Sequence, residues 1–431
     1  MKNFLMNILK HGEKNQHIGI TISFFKWLLY GSIVGALCGT ASALFLHLLG
    51  FATETREKNS WIIYFLPIAG MVTSWIYIKY GKNSSRGNNL ILEEIQNKKE
   101  KIPFRMGVMV LFSTIISHLF GASVGREGTA VQMGGSLSEA TAGILKSNER
   151  DRRILLMSGI SGGFGSVFGT PLAGTIFGME VSSMGAIKYE ALIPCFAASF
   201  VGDLVTKFLM VKHAKYSIGI VPDMTSFVIL KVIAASLIFG FAAILFSESI
   251  HFCKKTFVKY IKNPMLRPLI GGILIIILTF AAGTTIYNGI GTKTIADSFT
   301  TVIPKEAFLG KILFTALSLG SGFQGGEVTP IFYVGATFGN FLAGLMNMPI
   351  SFFAALGLIA VFSGASNAPI ACFVLGIELF GAEAGVYFFM ASIISYMFSG
   401  HHGIYTSQMV VTAKSKLLNY HEGEKIGNIK K

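Results

Sequence analysis

Long apolar runs separated by short polar links dominate the chain from residue 24 onward. A helix that crosses a bilayer needs about 20 mostly apolar residues. Runs of that character fall at 24–52, 61–80, 106–121, 154–180, 189–210, 226–250, 267–290, 308–320, 330–347, 351–380 and 384–412. Several are too short to span or are interrupted by glycine. Irregular backbone is tolerated at membrane depth only where it faces protein or a polar cavity, so these runs predict broken or re-entrant helices. The fold class expected is an all-α polytopic membrane protein.

Compared with itself at an offset near 200, the chain shows two matching pairs of segments. The stretch Gly125 to Thr129 (GREGT) meets Gly325 to Thr329 (GGEVT), with Gly135 opposite Gly335. Farther on, PLAGTIFGME from Pro171 to Glu180 meets PIACFVLGIE from Pro369 to Glu378. This predicts two related membrane bundles, 24–212 and 226–418, joined by a link at 213–225. A cytoplasmic N-terminal segment (1–23) and a cytoplasmic tail (419–431) flank them. Self-comparison leaves open whether the bundles run parallel or inverted. The motifs have the composition of helix starts: Thr170-Pro171 and Thr329-Pro330 place a hydroxyl before a proline, and Asn367 precedes Ala368-Pro369. Helix N-termini converging at membrane depth attract anions through unpaired N–H groups, so the expected cargo is negative.

Composition sharpens this picture. Of 431 residues, 52% are hydrophobic and 13% charged, and the net charge of +14 is concentrated in the links. Lys79, Lys82, Arg86, Lys98, Lys99, Lys101 and Arg105 share one link; Lys146, Arg150, Arg152 and Arg153 another; Lys254, Lys255, Lys259 and Lys262 a third. That distribution predicts that these links and both termini face the cytoplasm. It argues against nucleic acid, which needs a basic reading surface on a soluble domain. Cys38, Cys195, Cys253 and Cys372 lack metal or redox spacing and read as packing residues; no metal or other cofactor is expected. Residues 1–23 are too polar for a signal peptide. An intramembrane enzyme is disfavoured, since no nucleophile motif or HExxH helix is present.

A charged pair, Arg126-Glu127, sits within one of the most apolar stretches, and a carboxylate there is costly unless it is used. GREGT resembles the G-R-E-G-P signature of the CLC family of anion channels and anion/proton antiporters. The stretch GFQGGEVTP from Gly322 to Pro330 resembles that family's G-x-x-G-G-x-F-x-P, with Val328 at the Phe position, and Gly403-Ile404-Tyr405 falls where the family keeps an anion-contacting tyrosine. The resemblance implies a CLC-type fold of two inverted repeats with broken helices, and a homodimer with one pore per subunit.

Departures narrow it. Asn88 stands where chloride-transporting relatives have a chloride-contacting serine, Thr129 replaces the proline, Val181 occupies the place of the proton-relay glutamate, and Glu327 and Thr329 enter the second signature. The combination resembles the bacterial fluoride/proton antiporter branch, an exporter in the cytoplasmic membrane that exchanges fluoride for protons. A chloride/proton antiporter or passive anion channel is the alternative.

The resemblance implies that Glu127 is gate and proton carrier and Glu327 a second carboxylate. Asn88, Thr329 and Tyr405 would bind the anion with the backbone at Gly125 and Gly128, supported by Arg126, Asn89, Thr129, Phe323 and Val328. Glu127, Glu327, Asn88 and Tyr405 each have a structural counterpart reading. Glu127 would pair with Arg126, Glu327 would cap a helix, Asn88-Asn89 would form a turn, and Tyr405 would anchor at the interface. Arg126 is expected to hold its loop through backbone carbonyls. Glu180 and Glu378, equivalent in the two halves, are expected to bond helix ends.

Overall fold

Among the described residues, two series of eight α-helices follow one another along the chain. The computed structural model describes residues 16–96 and 100–429. Residues 1–15 of the expected N-terminal segment, Lys98 and Lys99 of the first basic link, and Lys430 and Lys431 of the tail lie outside the described residues. The first series comprises α1 (Gln16–Lys58), α2 (Leu66–Ile76), α3 (Asn88–Ile95), α4 (Arg105–Leu119), α5 (Glu127–Ile144), α6 (Glu149–Phe168), α7 (Pro171–Glu180) and α8 (Leu192–Phe208). The second comprises α9 (Ser226–Tyr260), α10 (Leu266–Ala282), α11 (Thr292–Asp297), α12 (Ala307–Ser321), α13 (Val328–Met346), α14 (Ile350–Ser366), α15 (Pro369–Phe380) and α16 (Gly385–Phe398). Each opens on a long helix, of 43 or 35 residues, and repeats the same order of shorter ones. Two short strands, β1 (Ser183–Met184) and β2 (Met409–Val410), pair in parallel.

Several apolar runs proved to be composite. The run 154–180 is divided into α6 and α7 at Gly169, which is left-handed and followed by a proline start at Pro171. In the same way 351–380 is divided into α14 and α15 at left-handed Asn367 before Pro369. A left-handed residue ends one helix and proline can only begin the next. The run 384–412 is helical only to Phe398. Helices α3 and α5 fall in stretches that no apolar run covered, because α5 is rich in Gly, Ser and Thr and α3 has only eight residues. Helices α6 and α14 form the centre: residues 154–168 and 352–366 are buried on every side.

Two reciprocal contacts fix the relation of the halves. Glu180, ending α7, accepts from the N–H groups of Ile370 and Ala371 at the start of α15 (3.2 and 2.8 Å). Glu378, in the last turn of α15, accepts from Leu172 and Ala173 at the start of α7 (2.8 and 2.7 Å). The two helices therefore lie antiparallel, each carboxylate satisfying the other's free N–H groups. The starts of α5 and α13 likewise meet head to head through a two-way bridge, Gly125 N–H to Gly326 O (2.5 Å) and Gly326 N–H to Gly125 O (2.8 Å). Both contacts are two-fold, so the halves are inverted.

They also correct the register by one residue. Gly125 is equivalent to Gly326, and Gly134, packed on Gly159, to Gly335, packed on Gly357. Glu127 thus stands opposite Val328, Thr129 opposite Pro330, and Glu327 opposite Arg126. The shared Gly, Glu and Thr spacing that suggested the repeat is one step out of structural alignment.

The basic links gather on one face. Arg152 bonds Glu94 and Glu139 (3.2 and 2.8 Å), Lys26 bonds Asp151 (2.5 Å), and Arg86 pairs with Glu93. The segment after α16 folds back onto this face as a hook. Ile426 N–H bonds Gln408 O (3.0 Å), Gly427 N–H bonds Thr406 O (2.9 Å), and Lys425 reaches Glu93 (2.9 Å).

Candidate functional site

Glu127 is 1% exposed, and its carboxylate lies where α5 and α13 begin. Oε2 accepts from the backbone N–H groups of Arg126 and Thr329, both at 3.1 Å, and Oε1 accepts from the Thr329 hydroxyl. Donors from both halves therefore converge on one anionic group. Helix-start N–H groups have no intrahelical partner, and hydrogen bonds to a charged acceptor are the stronger kind. The glycines permit the approach: a methyl group at Gly125 would stand 2.6 Å from Glu127 Oε2 and 2.9 Å from the Gly326 carbonyl.

Arg126 makes no hydrogen bond to this carboxylate. Its Nε stands 4.0 Å from Glu127 Oε1, an ion pair at the edge of contact, and has no hydrogen-bond partner. Nor does it hold backbone carbonyls, as had been expected; among the described residues its guanidinium stacks over Phe168, 5.7 Å from the ring centre, and faces a cavity. The loop is fixed instead by the glycine bridge.

Two cavities approach Glu127 from opposite faces. The larger, about 1480 Å³, is lined by Asn88, Asn89, Phe323, Glu327 and Tyr405, by the later turns of α9, and by the hook. Among the described residues it carries Lys82, Arg86, Lys254, Lys255, Arg267 and Lys425 against Glu93, Glu248 and Glu327, a balance that favours anions. The smaller, about 680 Å³, is lined by the later turns of α1 with Arg126, Lys212 and Lys293. Because α1 and α9 are inverted equivalents, their C-terminal ends lie on opposite faces.

The remaining candidates divide into cavity-facing and structural groups. Asn88 opens α3, and its Oδ1 is buried without a partner. Glu327 is the residue before α13 yet makes no capping bond; its Oε2 is unpartnered and it lines the larger cavity, against the cap reading. Tyr405 is 6% exposed within the core and lines the same cavity, so it is not turned outward as an interfacial anchor would be. Phe323 is buried and lines the cavity, and Val328 is buried as the first residue of α13. Asn89 also lines the cavity, and its Oδ1 accepts from the Ser407 N–H (3.0 Å), holding the tyrosine loop. Thr129 points to Thr114 of α4 (2.6 Å) and braces α5. Thr329 is the second residue of α13, so its hydroxyl serves Glu127 and does not precede the helix. The proline-led helices α7 and α15 do not join the convergence, since Glu378 and Glu180 occupy their N–H groups. The third helix start at the site is α3.

Inverted halves, helix starts meeting on a buried carboxylate, and a basic cavity below it define a membrane protein that passes anions. The sequence pattern of the voltage gated chloride channel family matches residues 69–400, and the chain belongs to that family. It is 46% identical over 395 residues to a chloride/fluoride channel protein of Pseudomonas syringae pv. tomato, across 90% of this chain and 87% of the relative. An H(+)/Cl(-) exchange transporter of Vibrio campbellii is 25% identical over 422 residues, 88% of each chain. Among solved structures, a CLC-type fluoride/proton antiporter superposes with a TM-score of 0.87 at 33% identity, over 89% of this chain and 98% of that one. A slow cyanobacterial Cl-/H+ antiporter superposes at 0.75 with 17% identity, over 86% and 94%, a likeness of fold.

Sequence reasoning passed over Gln132 and the cavity cations Arg267 and Lys425. Gln132 gave one signal, as the single carboxamide on the small-residue helix that Glu127 opens. The cations are brought together only by the hook and by the ends of α9 and α10.

Proposed function

We propose that the chain is a secondary transporter that exports fluoride in exchange for protons. The carrying observation is a buried carboxylate whose hydrogen bonds come from helix-start donors, with its neighbouring arginine at ion-pair distance only, between cavities on opposite faces. Likeness to the fluoride/proton antiporter structure and the chloride/fluoride relative supports the choice of anion. Fluoride is small and strongly hydrated, so the path must replace its water with close donors. The Asn88 amide, the Tyr405 and Thr329 hydroxyls and the helix-start N–H groups are of that kind.

In this mechanism fluoride enters the basic cavity and competes with Glu127 for the N–H groups of Arg126 and Thr329. Protonation removes the charge that holds Glu127 there; the side chain leaves, the anion takes its donors and departs past Arg126. Glu327 serves as the second carboxylate where Val181 offers no relay. HF crosses membranes and dissociates inside, so export protects a bacterial cytoplasm. The basic face and both termini are assigned to the cytoplasm by their charge. Each chain holds a complete pore, in keeping with a homodimer of two independent pores.

Proteoliposomes test this by recording fluoride and chloride efflux together with proton movement. Glu127→Gln should abolish coupled proton movement, and unchanged proton-driven fluoride flux would rule the gate role out. The relative's name also motivates a passive channel, which would move anions with no protons.

A further inference from the structure

Gln132 lies on α5, five residues beyond Glu127, and is 6% exposed. It lines the larger cavity with Asn88, Tyr405 and Glu327. Among the described residues its side-chain amide bonds no other group; apart from the helix's own backbone bonds, its backbone carbonyl accepts from the Ser136 hydroxyl. Glutamines buried to this degree are ordinarily bonded to backbone or to neighbouring side chains. Gly87 makes the position possible. It has φ +55, and a methyl group there would stand 3.2 Å from Gln132 Nε2. Across the same opening, a methyl at Gly128 would stand 3.2 Å from Asn88 Nδ2, and Asn88 Oδ1 also lacks a partner. Two unbonded carboxamides, one from α3 and one from α5, thus flank the way from the cavity to Glu127.

We propose that Gln132 is an additional anion ligand and specificity determinant, donating from its amide to the halide as it leaves the cavity for the Glu127 position. The proposal rests on the transport reading above. A carboxamide suits this place because it offers two N–H donors without a charge, so it can strip water from a small anion without trapping it. A hydroxyl offers one donor, and an ammonium would hold the anion against onward movement.

The test uses the full chain, purified in detergent and reconstituted in liposomes, with sodium fluoride and sodium chloride as probes. Gln132→Met keeps length and removes the donors. Calorimetric fluoride affinity should fall by roughly tenfold or more, chloride affinity should change less, and the unfolding midpoint without halide should stay near the parent's. Gln132→Glu keeps the shape and reverses the polarity. It should bind fluoride poorly near neutral pH and approach the affinity of the parent measured at the same acid pH, where Glu127 is protonated in both and the introduced carboxyl again donates; a packing role leaves the gap between variant and parent unchanged by pH. Fluoride affinity within about twofold of the parent in either variant, or loss in Gln132→Glu that acid does not relieve, overturns the proposal. A parent chain that neither binds nor moves fluoride defeats the transport reading instead.

Discussion

Thr329 and Glu127 come from different halves of the chain, and their contact is where a carboxylate and an anion would meet the same donors. Thr329→Val removes the hydroxyl while leaving the 3.1 Å backbone N–H bond to Glu127. A hydrogen bond to a charged group contributes about 1.5–3 kcal/mol, so the carboxylate should leave its seat more readily. The expected result is more fluoride moved per proton, read from simultaneous ion-electrode and pH traces; an unaltered ratio would sink the shared-donor account. Glu127 was legible because a charge stands out within an apolar run, and Tyr405 and Asn88 because they fall at motif positions. Gln132 was not, since an amide among glycines and serines has no contrast until the fold turns it into a cavity. Arg126, expected to hold its loop through backbone carbonyls, instead lays its guanidinium over Phe168, a neighbour that only the fold supplies.

At the scale of helices, the clasp of α7 and α15 links the halves through four N–H groups and two carboxylates. Glu180→Gln and Glu378→Gln each keep shape and lose charge, and each should lower stability by about 1–3 kcal/mol. Because the contacts are equivalent and share both helices, the two losses should be similar and the double variant should depart from their sum. Unfolding of the purified protein in detergent measures all three, while fluoride selectivity should persist. A negligible loss in both singles would show that the clasp adds nothing. The acids were recognisable as a repeated pair in the sequence. The helix starts at Pro171 and Pro369 were recognisable too, but a window of apolar residues ran through them because it takes no account of backbone handedness, and Gly169 and Asn367 end the preceding helices by adopting it.

Across the whole molecule, the basic cavity is assembled from remote stretches, and its charge should act at a distance. Replacing Lys254, Lys255 and Lys425 together by Gln should raise the half-saturating fluoride concentration from that side at low ionic strength. The difference should shrink as added impermeant salt shortens the screening length to about 8–10 Å. An effect independent of salt would mean these lysines act by packing alone. Two related bundles were legible as a repeat, but their inversion was not, and the one-step register between Gly125 and Gly326 was hidden by a coincidental match of Gly, Glu and Thr. That step leaves the scaffold nearly symmetrical while its acids are not: one ends the path at a closed neck, the other stands in an open antechamber. A conduit with such a front and back need not run equally well in reverse, and molecules inserted in opposite senses into one vesicle should differ in turnover under mirrored gradients.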